Sequence, residues 1–215
     1  MTPRYRHVIW DWNGTLLNDA HLCIACMNRL LEPRGLPLLT PERYQAIFDF
    51  PVIDYYRRLG FDLERETFEQ LGTAFIDDYE RHKTTCALQP EAIEVLDTIR
   101  RAGLTQSVLS AYRQDTLDSL VHHYGLRDYF IRVIGAADHY AYGKVETGLS
   151  WIRELGLPLE QILLIGDTTH DFEVARALGI ACRLVPGGNH SRTRLDACGV
   201  PVHDGLREIP VALGL

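Results

Sequence analysis

A chain of 215 residues is long enough for one sizeable core, or for a core carrying a smaller inserted domain. With 46% hydrophobic and 24% charged residues its composition is that of a soluble globular protein, and a formal net charge of −7 leaves no basic field to hold a nucleic-acid backbone. No run approaches the roughly 18 consecutive apolar residues of a membrane span, and residues 1–6 lead straight into strand material, so a cytoplasmic protein without membrane attachment is expected.

In chain order, the apolar run His7-Val8-Ile9-Trp10 predicts a first strand over 7–11, which delivers Asp11 to its carboxyl end ahead of a turn at Asn13-Gly14. From residue 18 to 86 the pattern is helical, with no convincing strand. Thr40-Pro41-Glu42 reads as an N-cap followed by proline in the first turn, and a long helical run covers 64–84. Cys23 and Cys26 form a C-x-x-C, but they share a helical face with Leu22, Met27 and Leu30 and no second cysteine pair follows. Five cysteines at irregular spacing fit reduced thiols and buried packing. Segments 16–19 and 85–90 read as linkers.

Beyond them, strands are predicted over 105–110, 130–134, 162–165 and 180–185, with a weaker one over 200–203. They alternate with helical patterns marked by Ile93, Leu96 and Ile99, then Leu117, Leu120, Val121 and Tyr124, then Leu149, Ile152 and Leu155. Alternation of this kind predicts an α/β fold: a Rossmann-like parallel sheet core formed by residues 1–17 and 87–215, with an inserted helical cap domain over 18–86.

Several polar residues fall at strand ends in this reading. Asp167 and Asp171 lie four apart around a strand-to-helix turn, a like-charge arrangement that is costly unless a cation lies between them. Helix capping by Asp167 or Thr168, with Asp171 favoured by the helix dipole, is the alternative. Lys144 opens a helix over 144–155, where acidic residues are preferred. Only Lys83 and Lys144 are lysines among 22 basic residues, so its placement argues for a compact point charge rather than a solvated surface lysine. Ser110, ending a strand, offers a hydroxyl beside the backbone N–H groups of Ala111 and Tyr112. That grouping suits a phosphate oxygen, or an ordinary turn.

Taken together and in this order, Asp11-Trp12-Asn13-Gly14-Thr15, Ser110, Lys144 and Gly166-Asp167 with Asp171 resemble the four motifs of the haloacid dehalogenase superfamily, in particular its phosphoglycolate phosphatase-like members with a helical C1-type cap. Leu16-Leu17-Asn18-Asp19 is similar to the segment that leads into such a cap, so the resemblance spans essentially the whole chain. It implies a phosphatase in which Asp11 is the nucleophile and forms an aspartyl-phosphate. It also implies Mg²⁺ held by Asp11, the main-chain carbonyl of Asn13 and Asp167, with Asp171 in or next to the shell. Ser110, the Ala111 N–H and Lys144 would bind the phosphoryl oxygens of a small phosphorylated metabolite.

The departure is Asn13, where the family has a second Asp that protonates the leaving alkoxide and later deprotonates water. A carboxamide does neither, although its NH₂ remains a donor and its main-chain carbonyl remains a metal ligand. General acid–base catalysis is worth roughly 10²–10⁴-fold, so a slow phosphatase, or one whose substrate carries a good leaving group, is expected. A catalytically weakened phosphate- and metal-binding protein that recognises a ligand or partner is the alternative. Dehalogenases of the superfamily need no metal, against which the Asp167/Asp171 pair argues. Phosphonoacetaldehyde hydrolases need a cap lysine, and Lys83 lies at the cap's far end. His21, Phe50, Arg57 and Arg58 are cap residues placed to face the site, although Arg57 and Arg58 read better as a solvated helix face. The sequence leaves the substrate and the oligomeric state open.

Overall fold

Residues 4–136 and 143–215 are described by a computed structural model; Met1, Thr2 and Pro3 of the leading segment lie outside the described residues. The strands are β1 (His7–Trp10), β2 (Leu17–Asn18), β3 (Ala87–Leu88), β4 (Thr105–Arg113), β5 (Arg132–Ala136), β6 (Ile162–Gly166) and β7 (Ala181–Leu184). Five of them form a parallel sheet in the order β5-β4-β1-β6-β7. Because both faces are covered, β6 and β1 after His7 read as unbroken apolar runs rather than alternating ones. Along β1, Val8 and Trp10 pack on one side of the sheet and Ile9 on the other.

β1 lies at the centre, in register with β4 from His7↔Thr105 to Trp10↔Val108 and with β6 from His7↔Ile162 to Trp10↔Ile165. The chain turns outward in opposite directions on its two sides, the switch point where open α/β sheets bind ligands. That register brings the residues following β1 and β6, Asp11 and Asp167, to one carboxyl edge beside Ser110 of β4.

Four helices stand between β2 and β3: α1 (Ala20–Leu31), α2 (Pro41–Ile47), α3 (Val52–Leu59) and α4 (Phe68–His82). Thr40 caps α2 by accepting from the Arg43 N–H, and Thr67 forms a full capping box with Gln70 at the start of α4. These helices have their own apolar centre in Met27, Leu31, Tyr44, Tyr55, Leu59 and Leu71. The segments expected to be linkers pair with each other as a short antiparallel ribbon, Leu17↔Leu88 and Asn18↔Ala87. The sheet is covered by α5 (Ala92–Arg101), α6 (Gln114–His123), α7 (Lys144–Leu155) and α8 (Thr169–Leu178), followed by α9 (Arg192–Asp196) and α10 (Glu208–Leu213). Among the described residues, no helix is long and apolar enough to cross a membrane.

Four details differ from the sequence reading. β5 begins two residues later than expected. β4 continues past Ser110 to Arg113, and its pairing with β5 breaks between Leu109 and Arg113. Residues 200–203 form no strand but one bridge, Val202 to Leu184; Pro201, which has no N–H to donate, offers only its carbonyl, to the Leu184 N–H. Ile93 is half exposed because the buried stripe of α5 is Ala92, Val95, Leu96 and Ile99, one position away.

Candidate active site

Asp11 leaves β1 with its N–H donated to the Ile165 carbonyl at 2.9 Å, so the backbone fixes where its carboxylate starts. The chain then reverses at Gly14, whose φ of +78° lies in the left-handed region. A Cβ there would collide with the Asp167 carboxylate, so glycine is required for conformation and for space. The Thr15 hydroxyl lies 3.0 Å from Asp167 Oδ1 and 3.3 Å from Asp11 Oδ2, tying the two carboxylates together.

On the far side, Thr168 caps α8. Its Oγ1 accepts from the Asp171 N–H, and Asp171 Oδ2 accepts from the Thr168 N–H and hydroxyl. Thr168 therefore caps the helix, as the simpler reading held, and Asp171 completes the capping box with one oxygen only. The other, Oδ1, accepts from Lys144 Nζ at 2.6 Å, and the same ammonium donates to Asp11 Oδ1 at 2.7 Å. Lys144 is buried at the first turn of α7, after Gly143 in the left-handed region, which excludes the solvated surface lysine.

Asp11, Asp167 and Asp171 are all buried and offer oxygens within 4.8 Å of one another. Burial pushes the Asp11 pKa up to about 7, with the Asp171 charge adding to it and Lys144 opposing. Asp167 is raised well above the usual range by burial and then by the two neighbouring carboxylates. Burial also opposes ionisation of Asp171, but Lys144 and the Thr168 hydrogen bond outweigh it and hold its pKa below the ordinary value. Lys144 is raised because the two carboxylates outweigh its own burial. Three carboxylates share one ammonium, so the cluster has an excess of buried negative charge and only hard oxygen donors. That donor set fits a divalent cation of the Mg²⁺ type.

Asn13 lies at the cavity wall, but its amide is turned away from the role anticipated for it. Nδ2 donates to Asp19 Oδ2 at 2.7 Å and to the Tyr79 hydroxyl at 3.0 Å, so both hydrogens of the NH₂ are engaged inside the protein. Asp19 also accepts from the Gly14 N–H at 2.9 Å and from the Tyr79 hydroxyl at 2.6 Å. Burial raises its pKa against the pull of these donors. Ser110 and Ala111 line the same cavity as Asp11 and Lys144. The Tyr112 N–H, read as available to phosphate, instead donates to Ser110 Oγ at 3.1 Å.

Tyr79 and Asn189 escape the sequence reading, and Thr15 and Asp19 enter it only as motif residues without a role. Asn189 donates its N–H to Asp167 Oδ2 at 2.5 Å and its Nδ2 to the same oxygen and to the Asn13 carbonyl. It also accepts from the Tyr44 hydroxyl at 2.7 Å, which joins α2 to the sheet edge. A cavity of about 260 Å³ lies between this edge and α1–α4. Phe50 lines it, its ring tilted against that of His170 with centroids 4.6 Å apart. Burial and the Lys144 charge hold the His170 pKa below its usual value. Arg57 and Arg58 are exposed and paired with Asp54 and Asp49, and His21 is exposed; none of the three lines the cavity.

The sequence profile of the haloacid dehalogenase-like hydrolases matches residues 8–185. The chain is 25% identical over 183 residues to the tyrosine-protein kinase PtkA of Mycobacterium tuberculosis, an alignment covering 84% of this chain and 62% of that one, so it spans less than two thirds of that relative. It is 24% identical over 212 residues to phosphoglycolate phosphatase 1 of Pseudomonas aeruginosa, covering 95% and 78%. A haloacid dehalogenase-like family hydrolase from Streptococcus pneumoniae superposes with a TM-score of 0.84 at 16% identity, covering 99% of both chains, which shows a shared fold. With most of its length matched by that profile, the chain belongs to the haloacid dehalogenase-like hydrolases.

Proposed function

We propose that the protein is a Mg²⁺-dependent phosphatase that hydrolyses a small phosphomonoester in the cytoplasm through an aspartyl-phosphate on Asp11. The observation that carries this reading is the Lys144 ammonium, buried and shared between Asp11 and Asp171 beside the third carboxylate of Asp167. A lysine held this way serves two purposes at once. It opposes the protonation that burial favours at Asp11, and it offsets the repulsion between that carboxylate and a dianionic phosphoryl group.

Asp11, the Asn13 carbonyl and Asp167 would hold Mg²⁺, with Asp171 in or next to the shell. When bound, the ion supplies neutralisation of the phosphoryl charge. Ser110, the Ala111 N–H and Lys144 orient the phosphoryl oxygens, Asp11 attacks phosphorus, and water then releases phosphate and restores the carboxylate. Residues 18–86 act as the cap domain that closes over the site and excludes bulk water. The Pseudomonas aeruginosa relative is named for phosphoglycolate, which gives this chain a phosphomonoester by analogy. Retention of the nucleophile, the lysine and the acidic cluster favours catalysis over a weakened binding protein, and Asn13 makes that catalysis slow or specialised.

The test is phosphate release from a panel of phosphorylated metabolites with Mg²⁺ and with chelator. The expected result is activity that chelation abolishes, Mg²⁺ restores and Asp11→Asn lacks. Undiminished turnover in chelator would overturn the metal-assisted reading.

A further inference from the structure

We propose that the substrate is an aryl phosphomonoester, the phosphate ester of a phenolic hydroxyl on an apolar ring. This rests on the phosphatase reading above and names the leaving group that the site accepts.

One line of argument is that position 13 and its partners have no proton to give. Both Asn13 amide hydrogens go to Asp19 and Tyr79, the Tyr79 hydroxyl hydrogen goes to Asp19, and both Asp19 oxygens accept. This group of side chains is satisfied internally and presents no acidic hydrogen to a departing oxygen. An alcohol ionises near water's value of about 15.7, a phenol near about 10. An alkoxide therefore needs a proton as it leaves. A phenoxide does not.

The second line is the chemistry of the cavity. Nine of the side chains that line it are Phe or Tyr, among them Phe48, Phe50, Phe68 and Phe75. Among the described residues, no arginine, lysine or histidine from residues 18–86 lines it. The two carboxylates from that stretch are both engaged, Asp19 as above and Glu80 with Lys83 at 2.8 Å and with the Tyr112 hydroxyl. Arg113 lines the cavity from the sheet side but is paired with Asp115, so an anionic leaving group such as glycolate would meet Asp19 and Glu80 with no countercharge supplied by residues 18–86. An apolar ring would find aromatic faces. An apolar cavity of about 150 Å³ holds benzene, so about 260 Å³ has room for a ring and its phosphoryl group. The Tyr55 hydroxyl and His170 Nε2, both on this wall, have no hydrogen-bond partner, and the Tyr55 hydroxyl offers a polar position for a ring substituent.

In the reaction, an Asp11 oxygen forms a bond to phosphorus as the bond from phosphorus to the aryl oxygen breaks. The aryl oxygen leaves with the electron pair as phenoxide and takes its proton from solvent. Water then adds to phosphorus, the Asp11–phosphorus bond breaks with its electron pair returning to the carboxylate, and the water proton goes to solvent. Ester and water become phenol and inorganic phosphate.

The test uses the full chain with Mg²⁺ and three probes: phenyl phosphate, benzyl phosphate and glycerol phosphate. Benzyl phosphate keeps the ring but leaves as an alkoxide, so it separates ring binding from leaving-group chemistry. The expected kcat/KM for phenyl phosphate exceeds that for benzyl phosphate by about 10²-fold or more, with benzyl phosphate in turn binding more tightly than glycerol phosphate. Adding a para-hydroxyl to phenyl phosphate should lower KM in the wild type, and Tyr55→Phe should abolish that advantage. Equal rates on phenyl and benzyl phosphate, or glycerol phosphate at or above phenyl phosphate, would overturn the substrate class while leaving the phosphatase reading intact. So would turnover of the metabolite panel with none of the three probes used. No turnover of any phosphomonoester in Mg²⁺ would overturn both.

Discussion

Lys144 sets the balance of the site. Among the described residues its ammonium is the one positive charge bonded to the cluster of three buried carboxylates, so removing it leaves Asp11 and Asp171 uncompensated. Breaking a buried ion pair costs about 3–5 kcal/mol. Lys144→Met should therefore lower Tm as well as turnover, the latter by orders of magnitude. Added Mg²⁺ should recover part of the Tm and none of the rate, and Lys144→Arg should not rescue because a planar fork does not replace a point charge. Thermal melts and phosphate release on the two variants check this. Asn13 and Asp19 form a second unit. Asn13→Asp would set two carboxyls at hydrogen-bond distance in a buried position, where they must share one proton, so Tm should fall. The swap, Asn13→Asp with Asp19→Asn, restores one carboxylate and one amide; its Tm should recover, and its turnover of benzyl phosphate should rise more than that of phenyl phosphate. Deamidation at Asn13-Gly14 must first be excluded by peptide mass. The meeting of Asp11, Lys144, Asp167 and Asp171 is legible in the sequence because each follows a strand or opens a helix. Tyr79 is not, since it reaches Asp19 from 60 residues away, across a helix whose register against the sheet no local pattern specifies.

The helical insertion is fastened to the core through α4, where Tyr79 meets Asn13 and Glu80 accepts from the Tyr112 hydroxyl, and through α9. Arg194 of α9 donates to the carbonyls of Gln45 and Phe48 and pairs with Asp49 at 3.1 Å, while Gln45 donates to the Gly188 carbonyl. Together with Tyr44 and Asn189 these bonds hold α2 and the residues after it against the sheet edge. Arg194→Ala should loosen that contact. KM should rise severalfold with kcat less affected, and limited proteolysis should cut near residues 48–52 sooner than in wild type; unchanged KM and cleavage would show the contact to be incidental. The principal sheet strands and the helices that cover them can be read from apolar runs and spacing, because burial on both faces leaves an unmistakable pattern. The ribbon of β2 and β3 cannot, as two-residue strands carry no periodicity. The irregular end of β4 is equally silent, since its extension past Ser110 depends on where β5 starts.

Across the whole molecule, the polar seam at the start of the sheet contributes to acid sensitivity, as does buried His190, whose pKa burial also lowers to about 4. His7 is buried between Thr105 and Ser107, with ring nitrogens 2.7 and 2.8 Å from their hydroxyls, and burial pushes its pKa down from 6.5 to about 4. Below the unfolded value the unfolded chain binds the proton that the folded chain refuses, so the stability is present above about pH 6.5 and is lost as pH falls toward 4. The loss has an upper bound of roughly 3 kcal/mol. His7→Asn, which cannot ionise, should show a flatter decline of stability over that interval, measured by denaturant unfolding at several pH values. Identical slopes would place the charge elsewhere. The central claim, that Asp11 is the residue phosphorylated during turnover, is tested most directly by quenching the enzyme during steady-state turnover in Mg²⁺ and measuring peptide mass. The account requires a phosphoryl group on the peptide containing Asp11, absent in chelator and in Asp11→Asn. Phosphate release by Asp11→Asn at the wild-type rate, with no phosphopeptide, would contradict it.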